Sequence, residues 1–102
     1  MHHGLSDETL QKIRGVFAHF QAIEKAVLYG SRAKGNYKTG SDIDLVLYGT
    51  ELTADRLWQI MDALDDLMLP YCIDLSLFAQ LDHELLIKHI EQAGKVFYER
   101  SV

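Results

Sequence analysis

Gly30-Ser31-Arg32-Ala33-Lys34-Gly35, followed by Ser41-Asp42-Ile43-Asp44, is the stretch of this sequence whose residue types and spacing suit chemistry. A glycine ending a strand lets backbone N–H groups approach an anion closely, and Ser31 adds a hydroxyl donor. Ser31 is also placed to open a short helical turn, whose N-terminus favours negative charge, and Arg32 and Lys34 supply cations. Together these residues suit a phosphate cradle. Asp42 and Asp44, two apart on a strand, project to one face, where two carboxylates repel each other unless a divalent cation lies between them. Mg²⁺ fits that place, because it takes hard oxygen ligands, keeps some of its waters and lets substrate phosphates complete its shell. Each half alone has an ordinary explanation, a Gly-Ser turn or a solvated Asp-x-Asp at a strand edge. Their conjunction does not.

Such residues act only if regular elements hold them. Leu5-Ser6-Asp7-Glu8, followed by Leu10, Ile13, Val16, Phe17 and Phe20, predicts an amphipathic helix with Ser6 as N-cap and Leu5 stapled onto Leu10. Lys25 to Tyr29 is a short apolar strand ended by Gly30, and Ile43, Leu45 and Leu47 alternate with Asp42, Asp44, Val46 and Tyr48 in a second strand. Between Thr53 and Met68 the residues Leu57, Ile60, Met61, Leu64 and Met68 keep helical spacing until Pro70. Tyr71 to Phe78 alternates again as a third strand. Asp82 is placed to cap a helix carrying Leu86, Ile90 and Ala93 on one face, Gly94 suits its C′ position, and Lys95 to Tyr98 makes a last short strand. Helices alternating with strands predict an α/β fold with one small mixed sheet of about four strands flanked by helices. Connections of this length leave strand order and the parallel or antiparallel sense of each pairing open.

The chain of 102 residues is expected to form one domain, residues 1–102, with a single core. Its net charge of -5 excludes a protein that coats nucleic acid through a basic surface. The charges are unevenly spread: residues 30 to 41 carry Arg32, Lys34 and Lys38 without an acid, whereas residues 51 to 74 carry Glu51, Asp55, Asp62, Asp65, Asp66 and Asp74 against Arg56 alone. The longest apolar run is four residues, far short of a membrane span, and Met1-His2-His3 opens neither a signal nor a transit peptide, so a cytoplasmic location is expected. The lone Cys72 makes no internal disulfide and reads as a small, inert core side chain. His83 and His89 are six apart, a spacing that does not align them on a helix, and they read as surface residues.

Gly-Ser followed after ten residues by Asp-x-Asp, with a strand on either side of the loop, resembles the signature of the nucleotidyltransferase superfamily that includes DNA polymerase beta. More closely, Gly-Ser-Arg-Ala-Lys-Gly with Ser-Asp-Ile-Asp-Leu resembles the minimal nucleotidyltransferases, domains of about this length whose whole extent the resemblance covers. The resemblance implies that Asp42 and Asp44 hold two Mg²⁺ ions that carry a nucleoside triphosphate, with ATP as donor, and that Ser31 contacts the terminal phosphates. Gly30 would permit close backbone approach, and Arg32 and Lys34 would bind triphosphate, face a partner or solvate the loop. The family's third carboxylate, on a following strand, falls on Asp74 in Cys72-Ile73-Asp74-Leu75-Ser76, on the polar side of an alternating run. Asp42, Asp44 and Asp74 are thus the candidate catalytic and metal-binding residues. Glu51, Asp62, Asp65 and Asp66 lie on or beside the second long helix and are read as its solvated face.

The activity so implied is transfer of a nucleoside monophosphate, AMP from Mg·ATP, to a hydroxyl of an acceptor from outside the chain. Stand-alone relatives are typically paired with a helical HEPN-type protein, several as the antitoxin that modifies its toxin. A module that neutralises its partner by contact alone and a sensor that binds triphosphate without transferring it are the alternatives, and self-association into a homo-oligomer is open to each. Trp58 lies about 60° outside the apolar stripe of its helix and is read either as packing over the sheet rim or as an interface anchor.

Overall fold

A computed structural model describes residues 3–38 and 40–100. Met1 and His2, read above for a leader, lie outside the described residues. The elements run α1 (Asp7–Ala18), β1 (Lys25–Tyr29), α2 (Ser31–Lys34), β2 (Ile43–Tyr48), α3 (Ala54–Asp65) and β3 (Ile73–Leu77), then a 3₁₀ turn (Phe78–Gln80), α4 (Glu84–Ala93) and β4 (Lys95–Glu99). The Ser6 side chain caps α1 by accepting from the Thr9 N–H, and Asp7 and Glu8 place negative charge in its first turn. Thr53 caps α3 in the same way, accepting from the Arg56 N–H.

Several element ends differ from the expected ones: β3 is shorter than Tyr71 to Phe78, and β2 begins after Asp42. The stripe of α3 does not run on to Met68: the N–H groups of Leu67 and Met68 turn back to Leu64 and Asp65, and Met68 adopts a left-handed φ of 55° with its side chain 88% exposed. The cap of α4 is His83, whose Nδ1 accepts from the Leu86 N–H at 3.2 Å, and not Asp82. Gly94 ends α4 in extended backbone, with φ -67°, so left-handed freedom is not its use; a Cβ there would lie 2.4 Å from the Ile90 carbonyl oxygen and 2.7 Å from Val27 Cγ1.

The sheet is mixed, in the order β3-β2-β1-β4, with β1 antiparallel to both neighbours and β2 parallel to β3. Alternation along the strands divides the side chains between two faces. Leu28, Ile43, Leu45, Leu47, Leu75 and Leu77 meet the buried residues of α1 and α3, among them Leu10, Ile13, Phe17, Ile60 and Leu64, and Leu5 joins them beside α1. Removing one such side chain from water contributes about 1.5–3 kcal/mol, so this face supplies most of the stability. The opposite face is thinner: Val27, Tyr29 and Val46 pack with Ile90 of α4, and α4 lies over β1. Asp44 of β2 and Asp74 of β3 share that second face. Trp58 on α3 is 66% exposed. Among the described residues no helix is long and apolar enough to cross a membrane.

Candidate active site

The site is built around the end of β1. Gly30 takes φ 78° and ψ -155°, a combination open essentially to glycine alone. A Cβ at this position would lie 2.5 Å from Asp44 Oδ2, so the missing side chain is the space in which the Asp44 carboxylate rests. The chain then enters α2, whose turn closes through the Lys34 N–H on the Gly30 carbonyl (3.1 Å) and the N–H groups of Gly35 and Asn36 on the Ser31 carbonyl (3.0 and 3.2 Å). The N–H groups of Ser31, Arg32 and Ala33, in the first turn, have no acceptor inside so short a helix. Ser31 is half-buried at this end, and Lys34 is exposed at the other.

Arg32, one of the residues expected at the phosphates, is placed elsewhere. It is only 2% exposed, with Nε and Nη2 donating to the Ser41 carbonyl (3.1 and 2.7 Å) and Nη1 to the His3 carbonyl (2.8 Å). Its guanidinium lies over the rings of Tyr37 and Tyr71, 5.2 and 5.1 Å from their centroids. Buried and held on two carbonyls, the side chain has little surface to offer a phosphate. It fixes the residue that precedes Asp42, while Ser41 Oγ accepts from the Lys38 N–H at 2.8 Å and tightens the same loop.

The carboxylates converge by register. Asp44 on β2 stands opposite Asp74 on β3 and opposite Tyr29 on β1, so the three side chains share one face and one level of the sheet. Asp42 precedes β2 by one residue and, like Asp74, is exposed, whereas Asp44 is half-buried. Burial foremost, then the charge of Asp74, then that of Asp42, raises the Asp44 carboxyl above the usual carboxylate range. The Tyr29 phenol is likewise pushed up, first by burial; a side-chain hydrogen bond with Ser76 opposes this, and the charges of Asp74 and Asp44 add to it. Among the described residues no three His, Cys, Asp or Glu side chains form a ready cage for an ion. A hard cation with waters and phosphates in its shell needs only one or two carboxylates, and the repulsion that adds to burial in raising Asp44 is what such an ion relieves. The donor set fits Mg²⁺.

Two readings of the sequence change here. Cys72 is exposed, ahead of β3, and its carbonyl accepts from the Ile43 N–H at 2.9 Å; it is no core side chain. His89 is not a surface residue: half-buried on α4, its Nε2 accepts from the Gly30 N–H at 3.0 Å. No spacing rule pairs residues 59 apart, so only the packing of α4 on β1 reveals this contact.

Residues 11–102 match the model of the family described as polymerase beta, nucleotidyltransferase. The chain belongs to that family. No curated protein matches it. Among solved structures, its fold resembles a chain in a toxin-antitoxin crystal structure with AMP-PNP, at TM-score 0.70 and 18% identity over 95% of this chain and 76% of that one. It also resembles a chain in the complex of a tri-AMPylated Shewanella oneidensis HEPN toxin with an MNT antitoxin, at TM-score 0.68 and 16% identity, covering 94% and 74%. A putative nucleotidyltransferase from Sulfolobus solfataricus matches at TM-score 0.55 and 20% identity, covering 95% and 92%.

Proposed function

We propose that this protein is a metal-dependent adenylyltransferase that moves AMP from Mg·ATP onto a hydroxyl of a helical HEPN-type partner, as the antitoxin of a cytoplasmic toxin-antitoxin pair. The observation that carries the reading is the register of Asp44 against Asp74, with Asp42 beside them and the Gly30-Ser31 turn at the end of the adjoining strand. The comparisons support it: one similar structure is that of a toxin-antitoxin with AMP-PNP and another holds an AMPylated HEPN toxin.

Asp42, Asp44 and Asp74 would hold two Mg²⁺ ions, which when bound offset charge on the attacking and leaving oxygens. Ser31, with the first N–H groups of α2, receives the terminal phosphates, and Lys34 adds charge from the exposed end of that turn. Arg32 acts through the loop, holding Ser41 so that Asp42 faces the site. Asp74, exposed on the edge strand β3, orients the incoming hydroxyl. The acceptor oxygen bonds to the α-phosphorus, its proton is released and pyrophosphate leaves. The protein's work is mainly to place charge and reactants. Incubation with α-labelled ATP, Mg²⁺ and the co-expressed partner should label the partner. A partner that is bound and neutralised without label would make the protein a contact inhibitor, and ATP bound without turnover would make it a sensor.

A further inference from the structure

We propose that His89 is a positioning residue of the active site, accepting the Gly30 amide proton and thereby tying α4 to the turn on which the Asp44 carboxylate rests. The inference deepens the reading of Asp44 as a metal-carrying acid and rests on it. Three observations converge. The bond from Gly30 N–H to His89 Nε2 is 3.0 Å long and partly shielded from solvent. The His89 ring stands edge-on to Tyr29, with centroids 6.3 Å apart and planes at 75°, which fixes the orientation of the imidazole. Gly30 in turn touches Asp44 so closely that a single carbon added to it would overlap Oδ2.

The chain of contacts therefore runs from α4 through His89, Gly30 and Asp44 to the carboxylate cluster. It matters because Gly30 needs support. Its φ and ψ lie in a region that glycine tolerates but does not prefer, and β1 ends at Tyr29, so no strand partner takes its N–H. His89 supplies the acceptor that the sheet no longer offers. The bond also assigns the tautomer: Nε2 carries the lone pair and Nδ1 the proton. The amide of Gly30 is thus committed to the protein, leaving anion contacts to Ser31 and the residues after it. A side chain of similar reach with an acceptor at its tip preserves this arrangement, whereas an apolar one of similar volume leaves the amide without a partner.

Two variants, His89→Gln and His89→Leu, separate positioning from packing. Amide hydrogen exchange by NMR should show Gly30 exchanging about tenfold faster in His89→Leu, with near-native protection in His89→Gln, since tenfold corresponds to the loss of one ordinary hydrogen bond. Calorimetric titration of Mg·ATP should show affinity about tenfold lower for His89→Leu and within about threefold of native for His89→Gln. Native exchange at Gly30 in His89→Leu, or equal losses of Mg·ATP affinity in both variants, would overturn the inference while leaving the catalytic reading intact. A native protein that binds no Mg·ATP would instead overturn the reading of the site, and with it the inference built on it.

Discussion

Asp44 is where the demands of folding and of function diverge most. Half-buried beside Asp74 and Asp42, its carboxyl is harder to ionise in the folded protein than in the unfolded chain, so the folded state holds its proton to higher pH. The sign follows: stability tied to this group is greatest below its unfolded value of 3.8 and falls as pH rises through the raised folded value. Asp44→Asn should therefore melt at or above the native temperature at pH 7 without metal, and this advantage should shrink as pH is lowered through that window. The same variant should lose Mg·ATP binding in a calorimetric titration. A clear drop in its metal-free melting temperature would show that the carboxylate is structural. Asp74→Asn should bind Mg·ATP nearly as the native protein does and yet transfer no nucleotide, because a group that orients the acceptor acts chiefly in the transition state. Unchanged transfer would remove Asp74 from the mechanism. The faces that Asp44 and Asp74 take on their strands were legible because alternation along a strand fixes the face of every second residue. Arg32 and His89 were not, since a buried guanidinium and an imidazole that meets a backbone amide 59 residues away are decided by tertiary packing.

At the scale of elements, the β1–α2 turn carries the greatest local constraint. Gly30→Ala places a side chain both in a disfavoured backbone region and on the Asp44 carboxylate, so it should destabilise the fold by about 1–3 kcal/mol and weaken Mg·ATP binding with it. A denaturant titration that finds no loss would mean that Asp44 moves aside freely. Local signals marked this turn and most others well: the Ser6 cap, the glycine ending β1 and the alternation in β2 all agree with the structure. The misplaced ends have a common cause. The apolar spacing of α3 runs past its end at Asp65 to Met68, which turns left-handed, and Asp82 and His83 are neighbours at one cap. Periodicity reports which face is apolar, not where the backbone leaves the helix. Strand order was equally out of reach, because the parallel pairing of β2 with β3 depends on α3 crossing one face of the sheet.

Taken as a whole, the molecule has one well-packed face, filled by α1 and α3, and one chemical face that α4 covers over β1. Exposed Asp42 and Asp74 leave the second face approachable by a macromolecular acceptor. Trp58 is 66% exposed on α3, as an anchor for a helical partner would be. Trp58→Ala should keep the isolated fold and weaken association with the co-expressed helical protein by about 2 kcal/mol, read by calorimetry; undiminished affinity would place the interface elsewhere. The most direct test of the central claim is transfer itself. With α-labelled ATP, Mg²⁺ and the purified partner, the native protein should place label on the partner and release pyrophosphate in equal amount, and Asp44→Asn should do neither. Stable complex formation without label or pyrophosphate, from a native protein shown to bind Mg·ATP, would contradict the account.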